Sequence, residues 1–326
     1  MKTVENVIVD EASDGQRLDR WLKKQIGNTP FALLQKMIRT GQVRVDGKRV
    51  KGDARISAGQ EVRLPPMEDK HGPTQFKPKA GDKDFLKSIT LFDDGDILVI
   101  NKPYGLPAQG GSKITRHVDG LLESMTDKKG LRPKLAHRLD RDTSGVLICA
   151  RKRATLEKLG KIFQSRDIRK YYWAITVGVP EVTQGSLIAP LGKGTGTMKD
   201  TMIIDEEEGK FAKTEYAVLE SAGHDAAAIA FWPRTGRTHQ IRAHATYALD
   251  CPILGDDKYQ GVTDSFDAIG VSARLHLHAY RVQFVHPKTG QIMDVKAPLP
   301  QDLKKSWSAF GFDANIHDDP FENVRT

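Results

Sequence analysis

His137-Arg138-Leu139-Asp140-Arg141-Asp142-Thr143-Ser144-Gly145 runs straight into Val146-Leu147-Ile148-Cys149-Ala150, joining a densely charged turn to an apolar segment of strand length. An unbroken apolar run of that length reads as a strand buried on both faces. Asp142-Thr143-Ser144-Gly145 supplies the turn, because Asp and Ser hydrogen-bond nearby backbone and Gly accepts a positive φ without steric penalty. Asp140 is therefore expected on the rim of a sheet.

Several readings of this stretch compete. A solvated turn whose charges do nothing is the blandest. Calcium fails: Asp140, Asp142, Ser144 and Gly145 fit the start of an EF-hand loop, but Arg151 stands where a bidentate Glu is required. The Asp-x-Asp nucleophile of a phosphatase should follow its apolar strand, and here the strand comes afterwards. The remaining reading makes Asp140 a nucleophile or base, held ionised by Arg138 and another cation, in a site without metal ligands.

His137-Arg-Leu-Asp140-Arg-Asp-Thr-Ser-Gly145 resembles the signature of the RluA family of RNA pseudouridine synthases. In that family the Asp of Arg-Leu-Asp is the catalytic residue. The resemblance thus implies that role for Asp140, and it can be tested against the rest of the chain.

At 326 residues the chain exceeds the roughly 250–300 at which a single core stops growing, so two domains are expected. Fifty Lys and Arg against 42 Asp and Glu give a net charge of +8 and a pI near 9.3, which favours a polyanionic partner. No apolar stretch approaches the length of a membrane span and no basic amphipathic anchor stands out, so nucleic acid is favoured over a membrane surface. The start, Met1-Lys-Thr-Val-Glu5-Asn, lacks the apolar stretch of a signal peptide, and a cytoplasmic, monomeric protein is expected. Cys149 falls in the apolar strand and Cys251 in Asp250-Cys-Pro, without metal-like spacing and without a structural disulfide expected between them.

Residues 14–64 read as a compact unit. Leu18, Trp21 and Leu22 recur at helical spacing, and Phe31 to Arg39 places Leu34, Met37 and Ile38 on one side. Gly41 stops the second helix, and Gln42 to Val50 alternates around Asp46-Gly47, a tight-hairpin signal. Glu61-Val-Arg-Leu64 adds a strand. The cations Lys36, Arg39, Arg44, Lys48 and Arg49 suit either a solvated basic face or phosphate contacts. Arg17-Leu-Asp19, the Gly41–Gly47 hairpin and Ala58-Gly-Gln-Glu-Val62 resemble the αL-type RNA-binding domain of a small-subunit ribosomal protein, which implies the second. Residues 65–87, rich in Pro, Gly and charge, read as a linker.

Residues 88–300 read as the catalytic domain. Asp96 to Asn101 is an apolar strand leading to Lys102-Pro103-Tyr104-Gly105, which matches the family's first motif. Gln109 stands where many members have His, a departure expected to touch a loop and not the chemistry. Lys170 to Val177 alternates, so Tyr171 and Tyr172 point opposite ways. The family pattern Lys-x-Tyr-x-Ala selects Tyr172 for the active site and leaves Tyr171 to pack. In Arg234-Thr-Gly-Arg-Thr-His-Gln-Ile-Arg-Ala-His244, Thr238 is suited to cap a helix. His239 and His244 lie five apart, the wrong spacing for a helical zinc pair, and no metal is expected. The resemblance implies that Arg242 pairs with the catalytic carboxylate, that Ile241 packs against the target base, and that Arg138 holds the space the base vacates. The tail, 301–326, is mixed and carries no signal.

Pseudouridine formation exchanges a C–N for a C–C glycosidic bond with no net redox change, so no cofactor is expected. The resemblance implies an α+β fold: a small αL-type domain and a synthase domain on a mixed, mainly antiparallel sheet. Its closest branch modifies large-subunit ribosomal RNA. A non-catalytic RNA-binding factor of translation or ribosome assembly would explain the charge, but not Asp140, Tyr172 and Arg242 together.

Overall fold

The computed structural model describes residues 4–326 apart from 27–28, 67–77, 112–113, 129, 166–167, 262–265, 267–268, 317 and 325–326, and apart from the side chains of Ala12 and Lys24. The chain divides into two compact units, Met1–Phe76 and Lys77–Thr326.

In the smaller unit, β1 (Glu5–Ile8), α1 (Leu18–Gln25), α2 (Phe31–Arg39), β2 (Arg44–Val45) and β3 (Glu61–Leu64) enclose one core. Leu18, Trp21 and Leu22 of α1 meet Leu34, Met37 and Ile38 of α2 above Val43, Ile56 and Val62. Gly41 ends α2 at φ 73°, and its N–H bonds to Ile38 O while that of Gln42 bonds to Met37 O, the paired closure of a Schellman motif. Asp46 and Gly47 both have positive φ, and Val45 and Lys48 exchange backbone hydrogen bonds, as a two-residue type I′ hairpin requires. The unit begins earlier than residue 14: β1 pairs antiparallel with β3. Its mostly exposed Glu5–Ile8 lacks the alternation that marks a half-buried strand.

The larger unit contains α3 (Asp82–Ser88), β4 (Thr90–Asp93), β5 (Ile97–Lys102), α4 (Val118–Leu121), β6 (Lys134–Leu135), β7 (Ser144–Ala150), α5 (Arg153–Ser165), β8 (Arg169–Val177), β9 (Gln184–Ile188), β10 (Leu191–Lys193), β11 (Met202–Ile204), β12 (Lys213–Ala222), β13 (Ala226–Pro233), α6 (Gln240–Tyr247), β14 (Leu277–Val285), β15 (Ile292–Lys296) and α7 (Gln301–Ala309). The main sheet runs β4-β5-β7-β14-β8-β13-β12-β9, with β15 on β14 and β6 on β7. Among the described residues only its β7–β14 pairing is parallel, so the α+β, mainly antiparallel expectation holds. That parallel contact is short, His278 opposite Ser144 and Ala279 opposite Gly145. Gly145 is required twice there: its φ is 112°, and a Cβ would collide with the Ala279 carbonyl.

Two expectations need correction. The stretch read as a linker becomes helical from Asp82, where Leu86 is fully buried; residues 67–77 of it lie outside the described residues. The tail is not featureless. Leu303 and Trp307 of α7, with Phe312 and Phe321, complete a core with Tyr171, Trp173 and Trp232. Trp173 stacks on Trp307 with centroids 5.0 Å apart, and Tyr171 on Phe321 at 5.6 Å. Single aromatics in a polar tail show no periodicity, so only their tertiary partners reveal them.

Candidate active site

The turn carrying Asp140 is clamped from outside. Thr143 N–H closes it on Asp140 O at 3.2 Å, and Arg141 O accepts from Gly105 N–H at 3.0 Å and Lys102 Nζ at 3.1 Å. Lys102, fully buried at the end of β5, also donates to Pro103 O and Leu106 O. Burial pushes its pKa down to about 7, against the opposing pull of Asp142 and Asp140. The Lys102-Pro103-Tyr104-Gly105 loop thus grips the Asp140 turn, and β7 follows with all seven residues buried. His137, before the turn, accepts from Ile148 N–H, and burial lowers its pKa to about 3, so it is a neutral structural ring.

Asp140 opens with its side chain 40% exposed into a cavity of about 820 Å³, whose walls include Arg138, Tyr172, His239, Ile241 and Arg242. Every residue selected from the sequence for the catalytic domain therefore lines one space, although they come from three separate stretches of chain. Tyr172 projects from β8 with Ile241 beside it in the same apolar cluster, while Tyr171 is buried on the opposite side. Burial and then the charge of Asp140 push the Tyr172 phenol well above its ordinary range, so it is neutral. Arg138 is exposed, and its Nη1 lies 3.5 Å from Gln109 Oε1. Gln109 lines the same cavity from the loop that follows Lys102-Pro103-Tyr104-Gly105.

Arg242 departs from its implied partner. Its Nε and Nη2 donate to Asp256 at 2.6 and 2.5 Å, a buried bidentate pair. Burial opposes the guanidinium charge, but the hydrogen bonds and charge of Asp256, followed by the field of Asp140, leave its pKa raised. Arg242 faces Asp140 as a charge and not as a hydrogen-bond partner. Two neighbouring expectations also shift. Thr238 does not cap α6. His239 occupies that position without a side-chain cap bond, and Gln240 instead turns its Oε1 back to the N–H of Arg237.

His239 is the residue that sequence reasoning misses, since its spacing speaks only against a metal ligand. Its Nε2 lies 3.9 Å from Asp140 Oδ2, and its Nδ1 lies 3.0 Å from Tyr259 Oη. Met202 N–H donates to the same phenol oxygen, so Tyr259 links the His239 ring to the backbone of β11. Burial lowers the pKa of His239, with Asp140 working in the opposite sense. Its φ of 48° is uncommon for a non-glycine residue and marks strain at the site.

In the smaller unit Lys36, Arg39, Lys48 and Arg49 are exposed, and none has a carboxylate partner among the described residues. Arg44 is half-buried and donates to Gly41 O and Gly47 O, which directs it to holding the hairpin. Among the described residues no cluster of three His, Cys, Asp or Glu could hold a metal ion, and no helix is long and apolar enough to cross a membrane.

Fold and site define a class, and comparison with known proteins shows it. The family model described as RNA pseudouridylate synthase matches residues 96–247. Ribosomal large subunit pseudouridine synthase C of Vibrio vulnificus is 36% identical over 310 residues, covering 93% of this chain and 95% of that protein. Its Escherichia coli counterpart is 36% identical over 316 residues, covering 92% and 93%. Among solved structures, human RNA pseudouridylate synthase domain containing 4 is similar with a TM-score of 0.61 and 28% identity, over 71% of this chain and 96% of that one. The chain belongs to the RluA family of RNA pseudouridine synthases. As a member of that family it is an isomerase, and its similarity to the two bacterial enzymes runs along nearly its whole length.

Proposed function

We propose that the protein converts specific uridines of large-subunit (23S) ribosomal RNA to pseudouridine, with Asp140 as the catalytic residue and no cofactor. The observation that carries this reading is the convergence of Asp140, Tyr172, Ile241 and Arg242 on one cavity, in a chain similar along nearly its whole length to enzymes named for that RNA. The reaction breaks the C1′–N1 bond and forms C1′–C5, while C5 loses a proton and N1 gains one. Asp140 acts on the ribose, by attack on its anomeric carbon or by removal of a neighbouring proton. Its carboxylate must be ionised for either, and the Arg242 guanidinium and the His239 ring stand beside it in the cavity.

The target base must leave its stack, and the neutral phenol of Tyr172 is placed to lie against it and assist proton transfer at C5, with Ile241 on the apolar side. Arg138, exposed at the mouth, fills the vacated space in the RNA. Lys36, Arg39, Lys48 and Arg49 supply phosphate contacts from the αL-type unit, which selects the target without contributing to the chemistry. The chain acts as a cytoplasmic monomer. Incubation with 23S ribosomal RNA transcript followed by pseudouridine mapping tests the proposal; a wild-type protein that modifies no uridine in that RNA, or an Asp140→Asn variant that still does, overturns it.

A further inference from the structure

Ser144 ends the Asp140 turn and begins β7, yet its hydroxyl does not face the cavity. It lies 2.9 Å from His278 Nδ1 and accepts from Arg274 Nη2 at 2.9 Å, in a fully buried cluster. The proton positions follow from the partners. His278 Nε2 is 3.1 Å from Ala297 O, an acceptor only, so Nε2 carries the ring proton. Burial lowers the pKa of His278 to about 4, so Nδ1 is bare and must accept. The Ser144 hydroxyl therefore donates to His278 and receives from Arg274, with both of its roles used.

Arg274 reaches the turn by a second route. Its guanidinium carbon lies 4.3 Å from the centroid of the Tyr104 ring, and the next residue, Gly105, donates its N–H to Arg141 O. Arg274 thus supports the turn at Ser144 directly and at Arg141 through the Tyr104 loop. Its third attachment is Nη1 to Asp302 Oδ2 at 2.8 Å, in the first turn of α7. Ser144 and Asp302 lie 130 and 28 residues from Arg274. Neither these two nor Arg274 lines the cavity.

We propose that Arg274 is a positioning residue for Asp140, joining both ends of the catalytic turn to the C-terminal helix α7 through Ser144, Tyr104 and Asp302. The inference rests on the assignment of Asp140 above. A planar guanidinium with fixed donor directions suits this junction, whereas a lysine would satisfy one partner at a time. Misplacing a reacting group by about 1 Å can lower a rate on the order of 100-fold without weakening remote binding contacts. The junction should therefore act on turnover and leave RNA affinity alone.

The test compares Ser144→Ala, Arg274→Gln, their double variant and Asp302→Asn, by single-turnover rate at saturating 23S transcript, RNA dissociation constant, and folded fraction from near-UV circular dichroism. Ser144→Ala and Arg274→Gln should each slow the rate about 10- to 100-fold with RNA affinity within about twofold of wild type. The double variant should be no slower than the slower single variant, because both break one connection. Asp302 is 44% exposed, so Asp302→Asn should fold normally even where the buried variants do not, and should slow the rate severalfold. Unchanged rates in folded variants, rate losses that only track lost folded protein, or a double variant slowed by the product of the single effects overturns the inference. Asp140→Asn separates the two levels: if it is inactive while Ser144→Ala runs at full rate, only the positioning role fails, whereas an active Asp140→Asn removes the assignment beneath it.

Discussion

The two units use the same charged side chains in opposite ways. In the smaller unit Lys36, Arg39, Lys48 and Arg49 stand in solvent. In the larger one Arg242 and Arg274 carry the same charge at 3% and 5% exposure and Lys102 has its pKa lowered to about 7 at 0%, each surrounded by hydrogen-bond acceptors. A solvated cation adds a small, screened attraction to phosphate and can be exchanged for another. A buried one is tolerated only when its partners are fixed, so it defines geometry. On the proposed function the difference separates holding RNA from transforming it, and substitutions can probe each side.

The largest effect belongs to Asp140→Asn. The amide is nearly isosteric but neither nucleophile nor base, so single-turnover rate should fall by more than about 10³-fold while RNA affinity persists. Pseudouridine mapping and filter binding on the same preparation distinguish the two.

Arg242→Ala should next show that the buried cations cannot be exchanged. It leaves Asp256 as an unpaired buried carboxylate, which typically costs about 3–5 kcal/mol of stability, and it removes the charge facing Asp140. Denaturant titration should reveal the loss, whereas Arg39→Ala should stay within about 0.5 kcal/mol of wild type. Equal effects from the two substitutions would end the contrast between the units.

Acid should also act unequally. Burial lowers the pKa values of His276 and His278 to about 4, from an unfolded value near 6.5. A group with a depressed folded-state value contributes stability above its unfolded pKa and loses it as pH falls. The larger unit should thus lose on the order of a few kcal/mol between pH 6.5 and 4. The described residues of the smaller unit contain no histidine. Amide hydrogen exchange resolved by unit should show protection falling in the larger one first.

The smallest effects concern the exposed cations. Replacing Lys36, Arg39, Lys48 and Arg49 with Gln one at a time should weaken RNA binding modestly, and each lost phosphate contact should reduce the slope of log affinity against log salt by about 0.7–0.9. Rate at saturating RNA should hardly change. A collapse of that rate with an unaltered salt slope would assign this unit a part in arranging the active site.

Much of the site is legible in the amino-acid sequence. The charged turn ahead of an apolar run points to Asp140, and strand alternation separates Tyr171 from Tyr172, which the fold places in core and cavity respectively. The residues it leaves unmarked depend on distant partners. His239 has no distinguishing spacing, and its place beside Asp140 appears only when Tyr259 and Asp140 are brought against it. The family resemblance matches Arg242 to Asp140, but Asp256 presents its carboxylate edge to the guanidinium and takes the bidentate bond.

Local conformation follows from neighbouring residues: the Gly41 helix stop, the Asp46-Gly47 turn, the two amphipathic helices and the buried strand around Gly145. Each depends on backbone preferences and side-chain periodicity within a few residues, so nearby positions suffice to specify it. Long-range packing brings Ser144 to Arg274 and His278, turns Arg242 to Asp256, and closes a core with α7 and the tail behind it. Those contacts follow from strand order and from the packing of segments far apart in the chain. Local preferences do not encode that order, because the same turn and strand could be placed beside many neighbours.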